Sequence, residues 1–164
     1  MARILIVGGG CRGRALASAS VAAGHAARVT TRSEDGRAAI ERAGAECHVG
    51  TPARLATMRD ALDGATVLCW LLATASGPAE ELRALHGDRL DFLMRQAIDT
   101  TIRGVVYESG ADALVRDGER RVREAAATHA IPLAVIDGPP SVRGEDEGAW
   151  LAGAEAAVEL LLSG

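Results

Sequence analysis

The sequence predicts one α/β domain over residues 1–164, built on a six-stranded parallel sheet with helices on both faces. Short β-branched or apolar runs alternate with longer amphipathic segments along the chain, which is the pattern of successive βαβ units. A length of 164 residues and an apolar content of 48% suit a single core. Right-handed crossovers make 3-2-1-4-5-6 the economical strand order, which places ligands at the carboxyl ends of strands one and four.

Each predicted element follows from this alternation. The fourth strand is the most hydrophobic, which favours a central position in the sheet. The predicted strands are 3–7, 27–30, 46–49, 66–72, 104–107 and 131–136. The predicted helices are 10–23, 36–43, 51–62, 78–100, 117–129 and 145–162, with an irregularity at Gly87. The polar stretch 138–148 is predicted to be a loop that starts at Pro139-Pro140.

A glycine-rich turn between the first strand and its helix is the most informative segment. The apolar run 4–7 breaks into Gly8, Gly10 and Gly13, and a small-residue helical pattern follows at once. Gly8 permits a tight exit from the strand, Gly10 lets the backbone approach a pyrophosphate, and Gly13 lets the helix pack close to the sheet. We interpret the segment as a dinucleotide-binding turn rather than a merely tight strand-to-helix turn, with phosphates facing the helix start.

The end of the second strand predicts which dinucleotide binds. An acidic residue there would bind the ribose hydroxyls, and a basic one would accommodate a 2′-phosphate. This chain has Thr31, Arg32 and Ser33, so the pattern favours NADP over NAD. Arg12, in the glycine turn, is placed either to reach the same phosphate or to be solvated. Its neighbour Cys11 is a further predicted cofactor contact, at a helix start that favours a thiolate.

The loops after the third, fourth and fifth strands form the remaining walls of the predicted cleft. Thr51 is placed near the adenine, and Leu72, Ala73 and Thr74 lie along the ribose and pyrophosphate. Thr74 also suits the nicotinamide half, although a plain polar turn explains it equally well. Ser109, after the fifth strand, is the last predicted cofactor contact.

The chain contains no lysine, because all 18 of its basic residues are arginine. This excludes Schiff-base chemistry, a P-loop lysine and the Tyr-x-x-x-Lys pair that activates a catalytic phenol. Tyr107, the one tyrosine, therefore has no evident means of losing its proton at neutral pH. We interpret it as a core residue, and the sequence identifies no catalytic residue.

Composition excludes several other classes. A net charge of −4, a pI near 5.6 and scattered arginines argue against nucleic-acid binding. No apolar run is long enough to span a membrane and no signal peptide is evident, so we expect a cytoplasmic protein. Cys11, Cys47 and Cys69 lack metal or disulfide spacing, and no histidine pair suggests a metal site, so free thiols and no metal are predicted.

Several segments taken in order carry a resemblance to a known family. They are GGGCRG at 8–13, TR at 31–32, DGA at 63–65, RGVVYES at 103–109 and IPLAVIDGP at 131–139. Together they resemble the atypical short-chain dehydrogenase/reductase group, with NmrA-like and biliverdin-reductase-B-like proteins the nearest by pattern. The resemblance implies an NAD(P)-binding Rossmann fold. Two departures separate the chain from it: the Tyr-x-x-x-Lys pair is missing, and one helix replaces the substrate-binding extension after the sixth strand.

Three functions fit these observations. The first is a small NAD(P)H-dependent reductase that positions its small-molecule substrate while solvent provides the proton. The second is a nicotinamide-dinucleotide sensor without turnover. The third is a structural domain that has lost ligand binding, against which the intact glycine turn argues.

The closing helix is the predicted partner surface. An apolar stripe at helical spacing runs along it, and most of that stripe is expected to cover the sheet. If Trp150 is exposed, a homodimer through this helix becomes reasonable. The stripe consists of Trp150, Leu151, Ala154, Val158, Leu161 and Leu162.

Overall fold

A parallel sheet forms the centre of the molecule. The computed structural model describes residues 1–8, 10–138 and 145–164, with the side chain of Glu145 left out. Within these ranges six strands pair in parallel in the order β3-β2-β1-β4-β5-β6, which confirms the predicted fold class and strand order. The strands are β1 Arg3–Val7, β2 Ala26–Thr31, β3 Glu46–Val49, β4 Val67–Trp70, β5 Gly104–Ser109 and β6 Leu133–Asp137.

Helices cover both faces of this sheet. They are α1 Cys11–Ala22, α2 Arg37–Arg42, α3 Arg59–Leu62, α4 Ala79–Leu85, α5 Asp88–Ile98, α6 Ala113–His129 and α7 Glu145–Ser163. Buried side chains of α1, α2 and α7 pack on one face, and those of α3, α5 and α6 pack on the other. Every residue of β4 is buried, as expected for an apolar central strand of a doubly covered sheet. A search of the described residues finds no helix that could span a bilayer.

The segment 51–62 differs from its prediction. Instead of one helix it forms a turn, a short 3₁₀ helix at Leu55–Thr57 and the four-residue α3. The hydroxyl of Thr57 accepts a hydrogen bond from the Thr51 N–H and lies within 2.6 Å of the Arg54 carbonyl oxygen. A hydroxyl that binds nearby backbone groups competes with the helical hydrogen bonds, so helical periodicity is misleading here.

Other boundaries also differ. The predicted helix 78–100 is broken into α4 and α5 at Gly87, the position of the predicted irregularity. The fifth strand continues to Ser109, and α6 begins four residues earlier than predicted because Asp112 caps it. The predicted loop 138–148 ends sooner, since α7 begins at Glu145. Residues 139–144, with the predicted Pro139-Pro140 start of that loop, lie outside the described residues.

The cap of α6 gives a first prediction. The Asp112 carboxylate accepts a hydrogen bond of 2.8 Å from the Leu114 N–H, so Asp112→Ala should lower the free energy of unfolding by about 1 kcal/mol. Urea unfolding followed by circular dichroism measures this change. Asp112→Ser keeps a capping oxygen and should fall within a few tenths of a kcal/mol of the wild type. Equal losses in both variants would show that the cap is not what stabilises the helix start.

Candidate functional site

The turn after β1 depends on two of its three motif glycines for its own packing. Gly8 has φ +126°, and a Cβ there would overlap the carbonyl oxygen of Leu71. A Cβ on Gly13 would overlap the carbonyl oxygen of Gly8. Both positions therefore require glycine in order to hold α1 close against the ends of β1 and β4.

Gly10 differs from these two glycines. Its backbone angles, φ −72° and ψ −174°, are open to any residue, and a Cβ there would meet no heavy atom of the described residues within 4 Å. It is also the N-cap of α1, and it has no side chain to cap the helix. Nothing in the described packing requires a glycine at this position, and open space adjoins the start of the helix.

A cleft of about 770 Å³ opens beside this turn, along the carboxyl ends of the first four strands. This is the edge at which a parallel sheet of this order binds its ligands. Most of the predicted cofactor contacts line it. They are Gly8, Gly10, Thr31, Arg32, Ser33, Thr51, Leu72 and Thr74.

A smaller pocket of about 260 Å³ adjoins the helix start and contains the remaining residues of the predicted turn. Cys11, Arg12 and Gly13 line it together with Glu147 of α7. The sequence does not predict Glu147, because only the fold brings the closing helix to the glycine turn.

Ala73 and Ser109 line neither cavity. The Ala73 N–H donates a hydrogen bond of 3.2 Å to Glu108 Oε1. The Ser109 hydroxyl donates to Glu119 of α6 and faces a separate groove. The structure thus turns Ser109 away from the cleft and binds the Ala73 N–H to Glu108.

Two arginines lie at the adenine end expected for the cleft. Arg32 is exposed and lines it after β2, and Arg54 lines it from the loop after β3. The sequence does not predict that Arg54 lines the cleft, because it predicts a continuous helix over 51–62. Glu34, the acidic residue closest to the strand end, is bound by Arg37 at 2.6 and 3.0 Å, and this pairing lowers the pKa of its carboxyl.

Arg12 is neither solvated nor directed at the adenine end. Its Nη1 lies 3.0 Å from Glu108 Oε2, and its guanidinium carbon lies 5.6 Å from the centre of the Trp150 ring. Its side chain is 16% exposed. Its placement in this structure therefore matches neither predicted alternative, the solvated arginine or the one that reaches the 2′-phosphate.

Glu108 is a buried acid at the carboxyl end of β5. Its side chain is 1% exposed, and a Cβ on Gly138 would meet its Cγ at 2.5 Å. Burial raises the pKa of Glu108, while the charge of Arg12, the Ala73 N–H and the Trp150 indole oppose that rise. The Trp150 Nε1 is itself buried without a hydrogen bond within the described residues. The sequence signal that could identify Glu108 is a carboxylate directly after the apolar run 105–107.

Tyr107 packs in the core, as predicted. Its hydroxyl lies 2.8 Å from the Val115 carbonyl oxygen and 2.9 Å from His86 Nδ1, and burial raises its pKa. His86 Nε2 donates to the Leu72 carbonyl oxygen, because that oxygen can only accept. Burial lowers the pKa of His86, which favours its neutral form. The hydroxyl is thus enclosed on the face opposite Arg12 and Glu108.

The apolar stripe of the closing helix and Cys69 have the environments predicted for them. Trp150 is 6% exposed and packs with Ala154 and Val158 on the sheet, so the exposure that would favour a dimer is not found. Burial raises the pKa of the Cys69 thiol to about 12, which fits an inert residue. Cys11 is exposed.

Comparison with known proteins supports the fold. Triphenylmethane reductase from Citrobacter sp., solved with NADP(H), has a TM-score of 0.63 and 18% identity over 82% of this chain and 49% of its own. UDP-N-acetylglucosamine 4-epimerase from Bacillus cereus has a TM-score of 0.65 and 14% identity over 84% of this chain and 53% of its own. The fold is Rossmann-like.

A third similar structure is closer in size. The TT0495 protein from Thermus thermophilus has a TM-score of 0.64 and 19% identity over 84% of this chain and 72% of its own. By contrast, the chain spans only about half the length of the triphenylmethane reductase and the epimerase. No protein-family model matches the chain, and no curated protein matches it.

The contrast between the glycines predicts two different effects on stability. Gly13→Ala places a Cβ against the Gly8 carbonyl oxygen and should cost about 1–3 kcal/mol of unfolding free energy. Gly10→Ala enters open space and should cost only about 0.5–1 kcal/mol, the difference between glycine and alanine as an N-cap. Denaturant titration of the two variants tests this; a large loss in Gly10→Ala would show that the fold itself needs that glycine.

Proposed function

We propose that this chain binds a nicotinamide dinucleotide across the glycine turn, with NADP(H) preferred to NAD(H). The open space at Gly10 carries the proposal, since the described residues pack tightly at Gly8 and Gly13 but leave the middle position clear. A diphosphate approaching the backbone is the ligand that would need such clearance. The start of α1, a twelve-residue helix, then supplies N–H groups and a positive dipole end.

The preference for NADP(H) rests on charge at the adenine end. Arg32 and Arg54 line the cleft there, and guanidinium groups bind a 2′-phosphate through paired, charge-assisted hydrogen bonds. NAD(H) would call for a carboxylate on the ribose hydroxyls. Glu34 is instead held by Arg37 and does not line the cleft.

The activity we favour is that of an atypical reductase without the Tyr-x-x-x-Lys pair. When bound, the reduced nicotinamide supplies a hydride, and the chain's own part is to orient the dinucleotide and exclude water. Similarity in fold to a reductase solved with NADP(H) supports this class. The enclosure of Tyr107 argues against a phenol as the proton donor.

A non-catalytic redox sensor is the second candidate. Arg12 lines the pocket at the glycine turn and also lies over the Trp150 ring of α7. A dinucleotide bound at the glycine turn would thus act on α7 through Arg12. Turnover separates the candidates, because a sensor binds the dinucleotide without oxidising it.

Calorimetric titration tests the binding site. The wild type should bind NADPH with a Kd on the order of micromolar and bind NADH more weakly. Arg32→Ala and Arg54→Ala should each weaken NADPH binding by about tenfold to a hundredfold, with little effect on NADH. Gly10→Ala should weaken both, because its Cβ occupies the space proposed for the diphosphate.

Arg42→Ala is the matched control for those titrations. Arg42 is an exposed arginine of α2 that does not line the cleft, so its loss changes net charge without touching the site. Its affinity for NADPH should equal that of the wild type. Absence of binding for both dinucleotides would overturn the proposal, and equal losses in all three arginine variants would remove the argument for the 2′-phosphate.

Tyr107→Phe tests the assignment of that phenol to the core. Loss of the hydroxyl removes its buried hydrogen bonds with His86 and Val115 and should lower stability by about 1–3 kcal/mol. NADPH affinity and any measured turnover should remain those of the wild type. A normal stability with lost turnover would instead assign the phenol to catalysis.

A further inference from the structure

Arg12, Glu108 and Trp150 form a cluster where several loops converge. Arg12 comes from the first turn of α1, Glu108 from the end of β5 and Trp150 from α7. The Ala73 N–H, after β4, donates to the same carboxylate, and Gly138, after β6, leaves room for it. A buried charge pair therefore lies beside the glycine turn.

Arg12 belongs to this cluster and to the small pocket at the same time. Its guanidinium is bound to Glu108, yet the residue lines the 260 Å³ pocket with Gly10 and Gly13. Arg12 is the cationic side chain among the described residues that line that pocket, and Glu147 is the anionic one. The Glu147 carboxylate would repel a diphosphate bound in this pocket. The Arg12 guanidinium would stabilise the diphosphate if it turned toward it.

We propose that Arg12 exchanges partners when a dinucleotide binds, leaving Glu108 for the diphosphate while Glu108 takes up one proton from solvent. The proposal rests on the binding function proposed above. The step is a proton transfer only: the carboxylate becomes a carboxylic acid, water or buffer supplies the proton, and no redox change is involved.

Proton uptake follows from the surroundings of Glu108. A carboxylate that is 1% exposed is costly to leave charged once its cation departs. The groups facing it from the other described elements are the Ala73 N–H, the Trp150 indole and the uncharged Gly138. Burial already raises the pKa of Glu108, and the charge of Arg12 is the largest influence opposing that rise.

The exchange also reaches α7. Arg12 lies over the Trp150 ring, and the indole N–H next to Glu108 has no hydrogen-bond partner within the described residues. Removing the guanidinium takes the cation from the ring face and changes the charge beside the indole. Occupancy of the turn is thereby transmitted to the start of the closing helix.

Calorimetric titration with NADPH in two buffers of different ionisation enthalpy measures the proton directly. At neutral pH the wild type should take up a substantial fraction of a proton, approaching about one per bound dinucleotide. Because the complex holds more protons than the free protein, NADPH affinity should fall as pH rises, by up to about tenfold per pH unit. Difference infrared spectra should show a new protonated carboxyl on binding.

Two variants locate the proton. Glu108→Gln cannot titrate and no longer competes for Arg12, so it should bind NADPH about three- to tenfold more tightly, with no uptake and no carboxyl band. Arg12→Met removes the cation beforehand, so it should bind more weakly and take up no proton. Arg14→Met, on the same helix but not bonded to Glu108, should keep the wild-type uptake.

The outcomes distinguish this proposal from the one on which it rests. NADPH binding without proton uptake, at any pH from about 6 to 8, would overturn the exchange and leave the binding site intact. Uptake that persists in Glu108→Gln would also overturn it. Failure of NADPH and NADH to bind at all would overturn both proposals. The wild-type measurements decide the matter even if a variant does not fold.

Discussion

The contact between Gly13 and the carbonyl oxygen of Gly8 is the constraint on which the candidate site depends. Every strand of a parallel sheet ends at the same edge, so a helix that starts there can face a ligand only if it lies close to the strand ends. The missing Cβ of Gly13 permits that approach, and the positive φ of Gly8 brings the chain out beneath the Leu71 carbonyl. The position of α1 then determines the open space at Gly10 and the reach of Arg12.

Arginine supplies all of the lysine-or-arginine positive charge on this framework. A guanidinium is planar, pairs with carboxylates and phosphates in the same geometry, and stacks on aromatic rings. Arg12 combines a pairing with Glu108 and a position over Trp150. Arg28 shows the same capacity in a structural role, since its side chain reaches the Ala61 and Asp63 carbonyl oxygens. Arginine thus supplies both the internal ion pairs and hydrogen bonds and the candidate ligand contacts.

The sequence predicts the fold and several residues that line the cleft, because these depend on local order. The bounds of β1 and β3 agree with the structure, and the residues after β1 and β2 reach the cleft because strand ends must. The position of Arg54 depends on a turn held by the Thr57 hydroxyl, and that of Glu108 depends on helices distant in sequence. The start of α6 depends on one carboxylate, Asp112, whose capping role the apolar periodicity does not reveal.

The tie between His86 and Leu72 has a consequence for how the cleft could diversify. His86 holds the backbone oxygen of Leu72, not its side chain, and is itself anchored to Tyr107 in the opposite core. The backbone of the cleft wall at Leu72 is therefore held by His86, whichever side chain position 72 carries. Mutation at position 72 can alter the shape and polarity offered to a ligand while the main chain keeps its place. The same scaffold is open to new ligand preferences through single substitutions on that wall.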